Sequence, residues 1–424
     1  MRHSLARAWN GARFGLDIGR AALAGWAAGR AAGAGPPRPT PGAPLPVHVL
    51  LEGDPVRGLS PAARYRAVQY APLLDERGFD CRLLPSRPGK YWSAGAGFQR
   101  LHRAAPRLAG LWALAQNARQ TRSRRRDFRG LADGGVVWLQ RDLQALAHSR
   151  LEQEIPHWNR HVVFDFDDAI WAQPPWVSAD AALAAAQRDK LALLCQLATC
   201  VIAANDHLAA FARRHCARVT VVPTTLCTDE FAPAARRGER DDAPPVIGWA
   251  GTSGNLHYLR KLAPALRALR GRTPFVLRIV CNRVAADELG ALRELPAGAV
   301  EFVEWNARDE VARLQQFDIG IMPLDDDDWA RGKAGFKMLQ YMACGVPFVA
   351  SPVGANPVVG GGDGECGLYA TSTDDWVDRL AALLAAPLRR QRLGDAGRAR
   401  AVQRFDRRVH VDAIARVLRE AVDA

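Results

Sequence analysis

A chain of 424 residues has room for two domains, and its 48% hydrophobic and 24% charged content is that of a globular protein rather than a fibrous or disordered one. The eight cysteines form no C-x-x-C or C-x-x-H pair, which argues against a metal cluster or a small disulfide scaffold and for reduced thiols in a cytoplasmic protein. No run of eighteen apolar residues is present to span a membrane, and a formal charge of +13 draws anionic partners, although arginine richness also follows from a GC-rich genome.

Residues 1–46 stand apart. Arg2, Arg7, Arg13, Arg20 and Arg30 are spread among Leu5, Trp9, Phe14, Leu16, Ile18, Leu23 and Trp26, without the compact apolar core and cleavage site of a secretory signal. The segment reads either as a basic amphipathic helix on an anionic membrane, peripheral at its inner face, or as a disordered or transit-like tail. Gly33 to Pro46 then forms a linker.

The first domain is expected over 47–233. Val47–Leu51 reads as a buried strand, followed by a Gly-containing loop through Ser60, a helix carrying Arg64, Tyr65 and Arg66, and a second strand over Phe79–Leu83. This is the opening of a doubly wound sheet, but the loop lacks G-x-G-x-x-G spacing, so no dinucleotide cofactor is expected. Arg119–Arg129 is a dense positive run with no stacking aromatic beyond Phe128, and so not a nucleic-acid site; a solvated helix face and a contact with anionic lipid both remain open. Strands over Val136–Gln140, His161–Ile170, Cys200–Ala204 and Val219–Val222 follow. The second of these, His161–Ile170, feeds Asp165, Asp167 and Asp168; such carboxylates suit a hard cation, but with no second ligand set in view no metal is expected. Asp168 equally suits a helix cap.

Residues 234–245, polar and proline-containing, mark a domain boundary, and the second domain is expected over 246–400. It opens with a strand, Val246–Ala250, then the small-residue loop Gly251, Thr252, Ser253, Gly254, Asn255 and a helix from Leu256, an arrangement whose N–H groups and hydroxyls can meet a diphosphate. Strands over Phe275–Cys281 and Ala299–Val303 and a helix from Asp309 lead to the strand Asp318–Met322. Then come an acidic loop (Asp325 to Asp328), a basic turn (Arg331, Gly332, Lys333, Gly335), a helix over Phe336–Ala343 stopped by Gly345 and Pro347, and a strand over Phe348–Ser351. Of the five lysines in the chain, two, Lys333 and Lys337, fall at this turn, which points to anion chemistry. Amphipathic helices, one of them over Ala401–Val422, end the chain.

The run Lys337, Leu339, Tyr341, Met342, Ala343, Gly345, Val346, Pro347, Val349 to Ser351 and Gly354 resembles the donor-site segment of GT-B glycosyltransferases, and most closely the retaining group called glycosyl transferases group 1, or family four-like. Pro223, Thr224, Thr225, Asp229, Phe231 and Pro233 resemble the segment that closes the first domain in that family. The resemblance implies an α/β protein of two doubly wound Rossmann-like domains with a cleft between them, and a C-terminal helix, 401–424, bracing the first domain. It implies a nucleotide-sugar donor, a glycan or glycolipid acceptor, retention of configuration, and neither metal nor cofactor. Lys337 and Asp167 would be catalytic. Thr252, Ser253, Asn255, Lys333, Gln340, Asp327 and Asp328 would hold the donor, and Ser60, Arg64 and Arg66 would form an acceptor or phosphate loop. Two departures stand out. The Arg and Lys that usually follow the first strand of the second domain are replaced by Thr252, Ser253 and Asn255, and the acids of the E-x7-E signature by Gly332 and Gln340. A non-catalytic GT-B-like protein that binds a nucleotide or glycan is therefore the alternative reading.

Overall fold

The computed structural model describes residues 42–54, 61–90, 92–144, 150–172, 181–234, 244–282 and 286–424. It divides into two compact units, Met1–Pro223 with Val411–Ala424, and Thr224–His410. The basic segment 1–41, Ser60 and most of the 234–245 stretch lie outside the described residues.

The first unit is built on six parallel strands, β1 (Leu45–Leu51), β2 (Phe79–Pro85), β3 (Val136–Gln140), β4 (Val162–Phe166), β5 (Cys200–Ala203) and β6 (Val219–Val221), in the order β2-β1-β3-β4-β5-β6. β3, β4 and β5 are buried at every residue, as apolar strands covered on both faces must be. One face packs Val47, Val49, Trp138, Val163 and Ile202 against Val411, Ile414, Val417 and Leu418 of the last helix, Arg407–Asp423. The single helix expected over 401–422 is two. Pro387–Phe405 and Arg407–Asp423 are separated by Asp406 in extended conformation (φ −67°, ψ 141°). Its carboxylate accepts from the Thr228 N–H (3.0 Å) and hydroxyl (2.5 Å) and from the Arg408 N–H (2.8 Å), so the break is paid back in hydrogen bonds.

These bonds also explain where the chain changes unit. Thr224–Ala234 belongs with the second unit because Leu226 bridges to Asp406 and Arg398 donates to the carbonyls of Thr228 (2.9 Å) and Phe231 (2.6 Å). The Arg119–Arg129 run is part of one 24-residue helix, Pro106–Arg129, and is not wholly solvated. Arg124 is fully buried and donates to the carbonyls of Leu84 (2.8 Å) and Leu51.

The second unit holds β7 (Val246–Gly251), β8 (Val276–Cys281), β9 (Val300–Glu304), β10 (Ile319–Met322), β11 (Phe348–Ala350) and β12 (Gly367–Tyr369), all parallel, in the order β12-β11-β10-β7-β8-β9. The chain runs outward from β7 in one direction, then returns to β10 on its other side. The β7/β10 pair is thus the switch point of a doubly wound sheet, where the strand C-termini open a crevice. The Phe336–Ala343 helix crosses that point at close range. The Tyr341 ring fills the place of a side chain on Gly320, where an added Cβ would lie 2.3 Å from the ring. The Tyr341 hydroxyl accepts from Ala250 N–H (3.1 Å) at the end of β7 and donates to the Ile321 carbonyl (3.3 Å) in β10. The same helix ends at Gly345, which turns at φ +70° as a C-terminal glycine should.

Gly320→Ala is expected to destabilise the protein by about 1–3 kcal/mol, since the ring it meets is itself pinned. Gly254→Ala, whose Cβ meets nothing within 4 Å, serves as the control and should stay within about 0.5 kcal/mol of wild type. Urea unfolding of the two variants checks this; equal stabilities would show that the helix can shift.

Candidate functional site

The C-terminal edge of β7 and β10 gathers the donor residues expected from the sequence. Gly251 ends β7 because the Lys337 side chain lies across it. A Cβ there would stand 2.6 Å from Lys337 Cε and 2.8 Å from the Trp249 ring. The Lys337 ammonium sits over that ring, 5.6 Å from its centroid. Past Gly251, Thr252 is exposed and accepts from Asn255 Nδ2 (2.9 Å), and the Ser253 N–H is held by Asn282 Oδ1 (2.9 Å). Facing this loop is the segment after β10. His257 reports on the two together: burial pushes its pKa down to about 4, with Asp325, Lys261 and Lys333 all within electrostatic range. It is therefore neutral at pH 7.

The acidic loop is largely committed to local structure. Asp325 pairs with Lys261 (2.5 Å) and Asp326 with Arg331 (2.7 Å). Asp327 caps the short helix Asp328–Arg331 by accepting from the Ala330 N–H (2.7 Å), while Asp328 is exposed on its first turn. Lys333 lies 5.1 Å from the centroid of the Trp329 ring. Gln340 is buried and donates to Glu310 Oε1 (2.9 Å), a carboxylate brought in by the helix Glu310–Leu314. Gly335 enters the Phe336–Ala343 helix at φ +68°, with Val359 Cγ2 3.0 Å from the place a Cβ would occupy. Only a glycine suits both the dihedral and the contact.

The first unit assembles a different chemistry at its strand ends. Asp165, buried in β4, accepts from Arg66 Nε (2.9 Å) and from Trp138 Nε1 (3.3 Å), and Arg66 also donates to the Val222 carbonyl (2.6 Å). Arg66 is thus buried within its own unit, whereas Arg64 rests over the Tyr65 ring at 4.9 Å. Burial raises the Asp165 carboxyl to about 6 despite the guanidinium beside it. Asp167, also raised by burial, is paired with Arg141 (2.7 Å), which holds Asp168 with its other nitrogen. Arg141 adopts φ +57°, a left-handed conformation that a non-glycine residue keeps only where its surroundings fix it. Beside it, Asp142 lies between Lys90 and Lys190 (2.8 Å), whose charges hold its carboxyl below the usual carboxylate range. Lys190 also reaches Glu152 (3.3 Å).

Residues 244–386 match the family model described as Glycosyl transferases group 1. Among solved structures, the chain is similar to a sucrose-phosphate synthase from Thermosynechococcus elongatus, with a TM-score of 0.66 at 16% identity over 89% of this chain and 98% of that one. It is also similar to Anabaena HepE in complex with UDP and glucose, with a TM-score of 0.59 at 14% identity over 88% and 99%. The chain has the GT-B fold. Two curated relatives resemble parts of the chain. An MMP alpha-(1->4)-mannosyltransferase of Mycolicibacterium hassiacum is 48% identical over 77 residues, 17% of this chain and 18% of that protein. A D-inositol 3-phosphate glycosyltransferase of Saccharomonospora viridis is 29% identical over 227 residues, 49% and 51% of the two chains. The chain thus aligns with about half or less of the length of these relatives.

The sequence singled out Lys337 and the Thr252–Asn255 loop but not Glu310 in the second unit, nor, in the first, Glu52 (3.7 Å from Lys90), Lys90, Arg141, Asp142 and Lys190. The signal was present for two of them: the lysines are scarce, and Lys90 and Lys190 are, like Lys333 and Lys337, held in specific contacts.

The Arg66–Asp165 pair yields a test with a definite sign. Arg66→Leu should cost about 3–5 kcal/mol, because a buried carboxylate loses its counter-charge. Asp165 is easier to protonate in the folded than in the unfolded chain, and more so once the opposing guanidinium is gone, so the variant should be most stable below about pH 4 and lose that stability progressively as pH rises above it, through and beyond 6. Adding Asp165→Asn should remove this pH dependence; thermal unfolding between pH 4.5 and 8 measures it.

Proposed function

We propose that the protein transfers a sugar from a nucleotide-sugar to a glycan or glycolipid acceptor, with retention and without a metal. The observation that carries the reading is the position of Lys337. Its stem crosses Gly251 at the switch point of the second sheet, beside a loop of N–H groups and hydroxyls. The solved complexes of Anabaena HepE with UDP and UDP-glucose support a nucleotide-sugar as donor.

In this reading the diphosphate meets Thr252, Ser253 and Asn255, and Lys333 and Lys337 supply the positive charge. When the bond between the sugar anomeric carbon and the phosphate oxygen breaks, negative charge grows on the leaving diphosphate. A fixed ammonium and the N–H groups opening the Phe336–Ala343 helix stabilise that charge more than they stabilise the ground state. Gln340, with Glu310 behind it, is assigned to ribose hydroxyls, and Asp327 and Asp328 to the edge of the donor pocket. On the acceptor side, Arg141 holds the Asp167 carboxylate in one orientation for a sugar hydroxyl, and Arg64 of the Pro61–Arg66 helix is assigned to the acceptor or its phosphate.

Lys337→Ala should lower turnover by about 10²–10³-fold with unfolding midpoint unchanged. Gly251→Ala, which displaces the same side chain without removing its charge, should lower turnover by a smaller factor. A thermal-shift panel of UDP-, GDP-, ADP- and TDP-sugars identifies the donor, since ligand at about a hundred times its dissociation constant adds roughly 2.7 kcal/mol. Stabilisation by one nucleotide-sugar without turnover on any acceptor would favour the non-catalytic reading that Gly332 and Gln340 suggest.

A further inference from the structure

We propose that the first unit docks on an anionic lipid bilayer through the outer face of the Pro106–Arg129 helix. Three exposed leucines lie on its first half: Leu108 (58% exposed), Leu111 (62%) and Leu114 (37%). The outward stripe runs Leu108, Leu111, Ala115, Arg119, Arg122, Arg126, Arg129, all of them exposed and at helical spacing. Arg100 and Arg103 of the preceding helix, Ala96–Ala104, and Arg107 are exposed beside the leucines. Asp127 is the sole acid between positions 92 and 129. The face is held rigid from beneath. Trp92, Phe98 and Trp112 pack ring against ring, with Phe98 5.0 Å from Trp92 and 5.4 Å from Trp112, and Arg125 is anchored by Glu154 (2.6 Å).

The charge and the apolar stripe together choose the occupant. Residues 1–41 of this chain carry Arg2, Arg7, Arg13, Arg20, Arg30 and Arg38 against Asp17 alone, so this segment meets the face with like charge. A second copy presenting the same stripe would set arginine against arginine. A nucleic acid answers the guanidinium groups but gives the leucines nothing to enter. Anionic headgroups above an acyl layer answer both at once: the leucines enter the apolar boundary while the arginines reach phosphate along a helix about 36 Å long.

The test is co-sedimentation of the full chain with vesicles of phosphatidylcholine, with and without about one third phosphatidylglycerol. Binding is expected only to the anionic vesicles and should fall as salt is raised. Leu108→Asp with Leu111→Asp should weaken it by roughly tenfold or more, and Arg119→Gln with Arg122→Gln and Arg126→Gln by about a hundredfold. The unfolding midpoint should not move in either variant, since all five side chains are exposed. Absence of binding, equal binding to neutral vesicles, or undiminished binding by both variants would overturn the proposal. So would self-association in sedimentation velocity that the leucine substitutions abolish while vesicle binding persists.

Discussion

The placement of the Tyr341 hydroxyl between β7 and β10 governs the rest of the second unit. It closes the end of one strand and the middle of the next with two hydrogen bonds, each worth about 1 kcal/mol net, and brings the helix that carries it down onto the sheet. Such an approach requires sheet positions without side chains. Gly320 takes the tyrosine ring, Gly248 takes the Phe317 ring, and Gly251 takes the stem of Lys337. Three glycines in buried strands weaken the sheet intrinsically. Their return is positional, since a helix seated this closely can hold a lysine over the strand end with little freedom. The site is therefore a consequence of packing, not an addition to it.

The first unit uses the same edge of its sheet in the opposite manner. Its strand ends hold charges that neutralise one another internally: Arg66 with Asp165, Arg141 with Asp167 and Asp168, and Asp142 between two lysines. Removing such groups from water costs several kcal/mol per ion, and close pairing offsets this without a large net gain. What the network provides is geometry. Arg141 stands in a left-handed conformation and turns two aspartates at once, so the carboxylate of Asp167 is a fixed acceptor rather than a mobile one. In the second unit Lys333 lies against the Trp329 ring and Lys337 against the Trp249 ring.

Much of this was legible in the residues themselves. Continuous apolar runs such as Val136–Gln140 and Val246–Ala250 mark strands buried on both faces, and the Gly345–Pro347 stop fixes the end of the central helix, because these depend on neighbours a few positions away. What was not legible depends on partners far along the chain. Arg124 sits in a basic run, and only the carbonyls of Leu51 and Leu84 explain its burial. Asp406 breaks a helix that its own amphipathic pattern would continue, because Thr228 offers it hydrogen bonds from 178 positions away. The three-residue β12 lies below the length at which a pattern can declare itself.

The two positions where the family pattern fails can be weighed by the same reasoning. Gly332 ends the short Asp328–Arg331 helix, and its N–H bonds to the Trp329 carbonyl (3.2 Å). The backbone there is placed by the turn, whatever the side chain. At 340 the amide of glutamine replaces a carboxylate, but its Nε2 donates to Glu310. A carboxylate thus stands one hydrogen bond behind the position where the resemblance calls for one, and the amide oxygen is turned into the better acceptor by the negative charge its Nε2 faces. In the proposed reaction a ribose hydroxyl would still find an acceptor at 340, with the charge supplied from the next helix. For the acid missing at 332, Asp327 or Asp328 of the preceding loop, or the backbone N–H groups between Lys333 and Phe336, would orient the sugar in the proposed reaction. In the proposed reaction the loss of the signature would therefore bear more on how the sugar is gripped than on how the leaving diphosphate is stabilised, the part assigned to Lys337 on the packed helix.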